Sequence, residues 1–77
     1  MSTFIPVVTD VRINPSRNQV MVTVDQPIDV MPGGTVEIND YVSVHNHVVV
    51  AVAGNALLLS NPSNRTVSLG SEVSIAK

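Results

Sequence analysis

With 77 residues, 44% of them apolar and only 13% charged, the chain is too apolar for a disordered segment and too short for more than one domain, 1–77. Its formal charge of −2, from four Lys and Arg against six Asp and Glu, leaves no basic patch and argues against nucleic acid as the main partner. The absence of Cys removes disulfides and zinc–thiolate centres, and fits a reducing cytoplasm.

The apolar residues are mostly Val, with one Phe, one Tyr and no Trp. β-Branched side chains suit a pleated, half-buried surface and lose rotamer freedom in a helix. The composition therefore predicts an all-β fold without substantial helix, a small antiparallel β-sandwich or barrel of about seven to eight short strands. A domain of this size buries roughly 60% of the surface its unfolded chain exposes, and its core rarely supplies more than about 3–5 kcal/mol. With no disulfide or metal staple in view, oligomerisation is the expected remedy. No positively charged segment followed by an apolar run opens the chain, so no leader is expected. The longest apolar run, Val48 to Ala53, is too short to cross a bilayer as a helix, so no membrane partner is expected.

In chain order, residues 1–6 read as an edge strand or an extended amino-terminal arm, because Pro6 cannot donate to a ladder. Phe4 and Ile5 on that arm are candidate anchors. Val7 to Ile13 read as a strand with Val7, Thr9, Val11 and Ile13 on one side, ended by the turn Asn14-Pro15-Ser16. Val20, Val22 and Val24 share a face in the next strand, opposite Met21 and Thr23. Ile28-Asp29-Val30 reads as a short strand.

Met31-Pro32-Gly33-Gly34 carries type II turn chemistry, with Pro at the first corner and Gly at the second. It lacks the Lys and Ser/Thr of a phosphate-binding loop. Thr35 to Ile38 alternate, and Asn39-Asp40 turns the chain again. Tyr41, Ser43, His45 and His47 then share one face and Val42 and Val44 the other.

From Val48 to Ala53, and again from Ala56 to Leu59 beyond Gly54-Asn55, both faces are apolar. A hairpin of this kind needs cover on two sides. Val48, Val49, Val50, Val52, Leu57, Leu58 and Leu59, with Phe4 and Ile5, are therefore the predicted interface with a neighbouring subunit or larger assembly. Asn61-Pro62-Ser63-Asn64 repeats the earlier Asn-Pro-Ser turn, and Thr66–Leu69 and Glu72–Ile75 read as closing strands.

Chemistry is thinly represented. His45-x-His47 places two imidazoles on one side of a strand, where both reach a single metal ion, with Asp40 or Glu37 as a further ligand. The competing expectation is a solvated face of histidines beside Ser43 and Tyr41. A third is pH sensing, since neighbouring histidines become charged around pH 6 and repel. The cupredoxin-like phrase MPGGTVEIND comes without the Cys that a copper–thiolate centre requires. No G-x-S-x-G, nucleophilic Cys or convincing carboxylate pair is present, so no catalytic residue, cofactor or enzymatic activity is expected.

The opening MSTF, the Val/Thr/Ser/Asn-rich strands QVMVTV and RTVSL and the two NPS turns resemble small virion proteins, in particular the capsid decoration (cement) proteins of tailed bacteriophages. That resemblance implies a structural protein assembled in the host cytoplasm and carried in the virion. It would be a homo-oligomer, commonly a trimer, that binds and strengthens an icosahedral shell. The alternative is a small β-sandwich module that binds a metal ion, sugar or peptide through the Tyr41, Ser43, His45 and His47 face.

Overall fold

Alternation interrupted by strong turn residues produces six antiparallel strands among residues 5–76, the part of the chain that the computed structural model describes. They are β1 (Val8–Asn14), β2 (Gln19–Val24), β3 (Thr35–Asn39), β4 (Val44–Ala53), β5 (Ala56–Ser60) and β6 (Glu72–Ile75). A three-residue 3-10 turn, Pro15–Arg17, is the helical content of the described residues. The all-β class predicted from composition is the one the chain adopts.

The strands form one sheet in the order β1-β2-β5-β4-β3-β6. The ten-residue β4 joins its two halves. Val44 to Val48 pair with β3, whereas Val49 to Ala53 pair with β5, and the register shifts between Val49 and Ala51 where the partner changes. An extra residue of this kind bends a strand and increases its twist. The outermost strands approach each other at the bridge Val7–Glu72. Around it, Val8 N–H donates to the Ser71 carbonyl (2.9 Å), Gly70 N–H to Val8 (2.8 Å) and Val73 N–H to Pro6 (2.9 Å). The sheet thus curls until its edges touch at one end, without the continuous ladder of a closed barrel.

Turn chemistry sets the corners. Gly33, at φ 94°, occupies the second corner of the type II turn, and Gly34 N–H donates to the Met31 carbonyl at 2.9 Å. Ala53 pairs with Ala56, which leaves Gly54-Asn55 as a two-residue hairpin loop with Gly54 at φ 61°. A left-handed Gly at the first corner is the II′ arrangement that matches strand twist. The two Asn-Pro-Ser turns lie side by side, since Asn61 N–H donates to the Asn18 carbonyl at 2.7 Å. Asn61 is buried and holds its loop by bonding both the N–H and the carbonyl of Arg65, at 2.9 and 3.0 Å.

Four expectations are corrected. Ile28–Val30 is not a strand, because Val30 N–H turns back to the Ile28 carbonyl (2.9 Å) while both side chains pack on the core. Thr66–Leu69 is not one either; Val67 alone enters the core from an otherwise exposed loop. Among the described residues the sheet therefore has six strands rather than seven or eight. In β1, an irregularity between Val8 and Asp10 breaks simple alternation and brings Val8 opposite Val24, as Val11 is opposite Val22.

The core is almost wholly aliphatic. Val20, Val22 and Val24 from β2, Val36 and Ile38 from β3, Val49 from β4, Leu57 and Leu59 from β5 and Val73 from β6 are all buried. Val49, Leu57 and Leu59, three of the predicted interface residues, thus belong to the chain's own interior. Two outcomes follow from that placement. Leu59→Ala should cost about 2–5 kcal/mol, read from urea unfolding, because it opens a cavity among fully buried aliphatic side chains. Val49→Lys should abolish the far-UV β signal even in dilute solution, because it buries an unpaired ammonium; a folded Val49→Lys chain would contradict the inward placement.

Candidate functional site

β4 is also where polar chemistry and exposed apolar surface meet. Its alternation runs opposite to the ordinary one at its amino-terminal half. His45 and His47 face inward, 9% and 4% exposed, while Val44, Val48 and Val50 face outward. The expected solvated histidine face is therefore corrected. The period correctly grouped His45 with His47, but that face points into the protein.

Burying two imidazoles is tolerable only if their nitrogens find partners. His45 Nδ1 lies 2.6 Å from His47 Nε2, and His47 Nδ1 lies 2.9 Å from the Ser60 carbonyl oxygen of β5. The rings meet edge to face, with centroids 4.8 Å apart and planes at 78°. A carbonyl only accepts, so His47 Nδ1 carries hydrogen and donates. In neutral His47 the Nε2 atom is then an acceptor, and His45 Nδ1–H donates to it. No buried side-chain nitrogen or oxygen lacks a partner among the described residues.

The electrostatics agree with this neutral arrangement. Burial is the main influence holding the His45 pKa below its usual value; His47 and the Arg65 guanidinium lower it further, and Asp40 opposes them. Asp40 is itself held below the usual carboxylate range by the backbone N–H groups of Ser43 and Val42, which donate to its Oδ1 at 2.7 and 3.0 Å.

The other two members of the expected binding face lie elsewhere. Tyr41 occupies the exposed turn before β4 with φ 70°, and its hydroxyl donates to Glu72 Oε2 at 3.1 Å. That bond, aided by partial desolvation, raises the Tyr41 pKa. Ser43 is exposed in the same turn. Tyr41, Ser43, His45 and His47 thus do not form one open face, because the turn ends the alternation that would have aligned them. Among the described residues no group of three His, Cys, Asp or Glu side chains is placed to hold a metal ion. His45 and His47 bond each other instead.

The predicted interface residues divide by face. Val49, Leu57 and Leu59 are interior, and Val52 packs partly against the core. Val48 and Val50 are outward and about half exposed (48% and 43%), Leu58 is outward and partly covered, and Ile5 is exposed. Phe4 lies outside the described residues. Cross-strand register adds residues that sequence spacing did not single out: Met21 of β2 lies opposite Leu58, which lies opposite Ala51 of β4. Met21 was already legible as facing away from Val20 and Val22; what was missing was the neighbour beside it. The outcome is an outer surface of Met21, Leu58, Ala51, Val50 and Val48, which the exposed Asn46 separates from Val44 at the start of β4. Arg12 borders it beside Met21, and Thr35, Glu37 and Asn39 border it on β3.

No family model matches the chain, and no curated protein or solved structure shows significant similarity to it. No helix among the described residues is long and apolar enough to cross a membrane.

The histidine geometry predicts a cost and a pH dependence. His47→Ala strands the buried His45 Nδ1–H and the Ser60 carbonyl, and should destabilise the fold by about 1–3 kcal/mol in urea titrations at pH 7.5. Because the His45 pKa is lowered on folding, the unfolded chain binds the extra proton first. Stability should be full above the unfolded value of about 6.5 and decline as the pH falls below it toward the folded value. Asp40, lowered as well, contributes stability that is lost only near and below its unfolded value of about 3.9. Urea midpoints measured from pH 8 to pH 3 should therefore fall in two separate windows.

Proposed function

We propose that the protein is a structural subunit that works by surface contact, packing the outer face of β2, β5 and β4 against copies of itself and a larger shell. One observation carries this reading: the outward residues Met21, Leu58, Ala51, Val50 and Val48 adjoin one another across β2, β5 and β4, and all but the partly covered Leu58 are exposed. Single exposed apolar residues are ordinary on soluble proteins, but a contiguous apolar surface with a polar border has the make-up of an interface. Arg12 on one side, and Thr35, Glu37 and Asn39 on the other, supply that border.

The small unstapled core supports the same reading, since cover by a neighbour adds burial that a domain of this length lacks. Within this class, the resemblance of the strands QVMVTV and RTVSL and the NPS turns favours a bacteriophage capsid decoration protein, with the virion as its location and a trimer as its unit. The histidines take no part in the contact itself, because they point to the opposite side of β4.

Sedimentation velocity across a concentration series tests the proposal. Wild-type protein should shift to larger species as concentration rises. Val48→Lys combined with Val50→Lys should keep the wild-type circular dichroism yet sediment as a monomer throughout, with a melting transition that no longer rises with concentration. Equal association by that double variant would exclude this face as the contact, and a wild-type monomer up to millimolar concentration would remove self-assembly.

A further inference from the structure

We infer that His45 and His47 form a proton-sharing pair that accepts one proton and refuses a second, making the β3–β4 end of the sheet the acid-sensitive part of the fold. The inference concerns the inner side of β4 and does not depend on what the outer face contacts.

The geometry of the gap is the first support. A separation of 2.6 Å between His45 Nδ1 and His47 Nε2 holds one hydrogen. Two lone pairs would repel across it, and two N–H groups would collide. In the neutral pair that hydrogen belongs to His45 Nδ1, because His47 Nδ1–H is committed to the Ser60 carbonyl (2.9 Å). An added proton binds at His45 Nε2 and gives an imidazolium that still donates through the same gap. If the gap hydrogen crosses to His47 Nε2, the positive charge moves to His47, which then donates to Ser60 and leaves His45 neutral. Both placements keep every bond and contain one added proton and one positive charge. A second proton must put a second hydrogen in the gap, so the rings have to separate.

The surroundings set the same limit. β3 places Ile38 opposite His45 and Val36 opposite His47, neither of which titrates. β5 contributes the uncharged Ser60 carbonyl. The charged groups acting on His45 are Asp40, from the turn before β4, which favours a first proton, and Arg65, from the loop after β5, which opposes it. One carboxylate is thus available to offset one imidazolium. No group in this set offsets two.

Separation of the rings falls on a defined segment. His45 and His47 lie in the half of β4 that pairs with the five-residue β3, whereas the half that pairs with β5 carries no ionisable side chain. Acid should therefore open the pairing of Val44–Val48 with Thr35–Asn39 before it disturbs the β2-β5 ladder.

Imidazole 15N–1H correlation spectra of the wild-type protein from pH 8 to pH 4 provide the test. At pH 8, His47 should be the Nδ1–H tautomer with Nε2 as an acceptor, and His45 should carry hydrogen on Nδ1. On acidification both rings should shift together with a common first midpoint, as coupled sites do. The second protonation should coincide with loss of amide protection in β3 and the first half of β4. In that interval the unfolded chain holds one proton more than the folded chain, so the folding equilibrium constant should fall about tenfold per pH unit. His47→Gln leaves a single imidazole and no N···N gap, and should remove the paired first step. If that variant does not fold, the wild-type spectra decide alone. Independent titration of the two rings near pH 6.5 with β3 and β4 still protected would overturn the inference. So would a shift of both rings by one equivalent of Zn2+ at pH 7, which would make the pair a metal site.

Discussion

Val49 is the residue through which the two halves of the sheet are joined. Its N–H donates to the Gly34 carbonyl and its own carbonyl accepts from Gly33 N–H, both at 2.8 Å, while its side chain lies in the core opposite Leu59. One residue therefore exchanges backbone bonds with the turn that leads into β3 and opens the ladder with β5. Paired bonds of this kind hold adjacent backbones at a set spacing and orientation. The left-handed Gly33 is what brings the N–H and carbonyl of that turn to bear on β4 together. Change of partner, bend and core placement all depend on this contact.

The bend also explains the unusual division of chemistry along β4. Before it, polar imidazoles face inward and valines face outward; beyond it, Val50 and Ala51 are both exposed before Val52 turns back toward the core. Inward imidazoles cost desolvation, which is offset because the two rings and the Ser60 carbonyl satisfy one another. Outward valines have no such local compensation. The two sides of one strand thus carry separate chemistries, bonded imidazoles on the inner side and exposed valines on the outer.

Turns were the most legible part of the molecule. Pro32-Gly33, Gly54-Asn55 and both Asn-Pro-Ser segments name their own geometry, because proline and left-handed glycine restrict the backbone locally. The grouping of residues by face was legible as well, through the two-residue period. What the period leaves open is which face turns inward when both are mixed, and for His45 and His47 the choice rests on Ser60, thirteen residues away from His47. Strand existence misled where alternation lacked a partner: Thr66 to Leu69 alternate well, but no neighbouring strand offers a ladder, so only Val67 is drawn inside. The irregularity at Thr9 likewise has no sequence mark, since it reflects how β1 accommodates β2.

The meeting of residues 6–8 with 70–73 has a consequence for chain connectivity. Residues 6–8, leading into β1, exchange backbone bonds there with residues 70–73, leading into β6, so the entries to the first and last strands lie side by side. A short flexible bridge joining residue 76 to residue 5, with a new opening cut at the exposed Gly54-Asn55 corner, would yield a circular permutant that interrupts no strand ladder. In such a rearranged polypeptide β5 would come first and β4 last, and their pairing would become the most distant in sequence rather than the nearest. The order of assembly would then have to change while the finished sheet stayed the same.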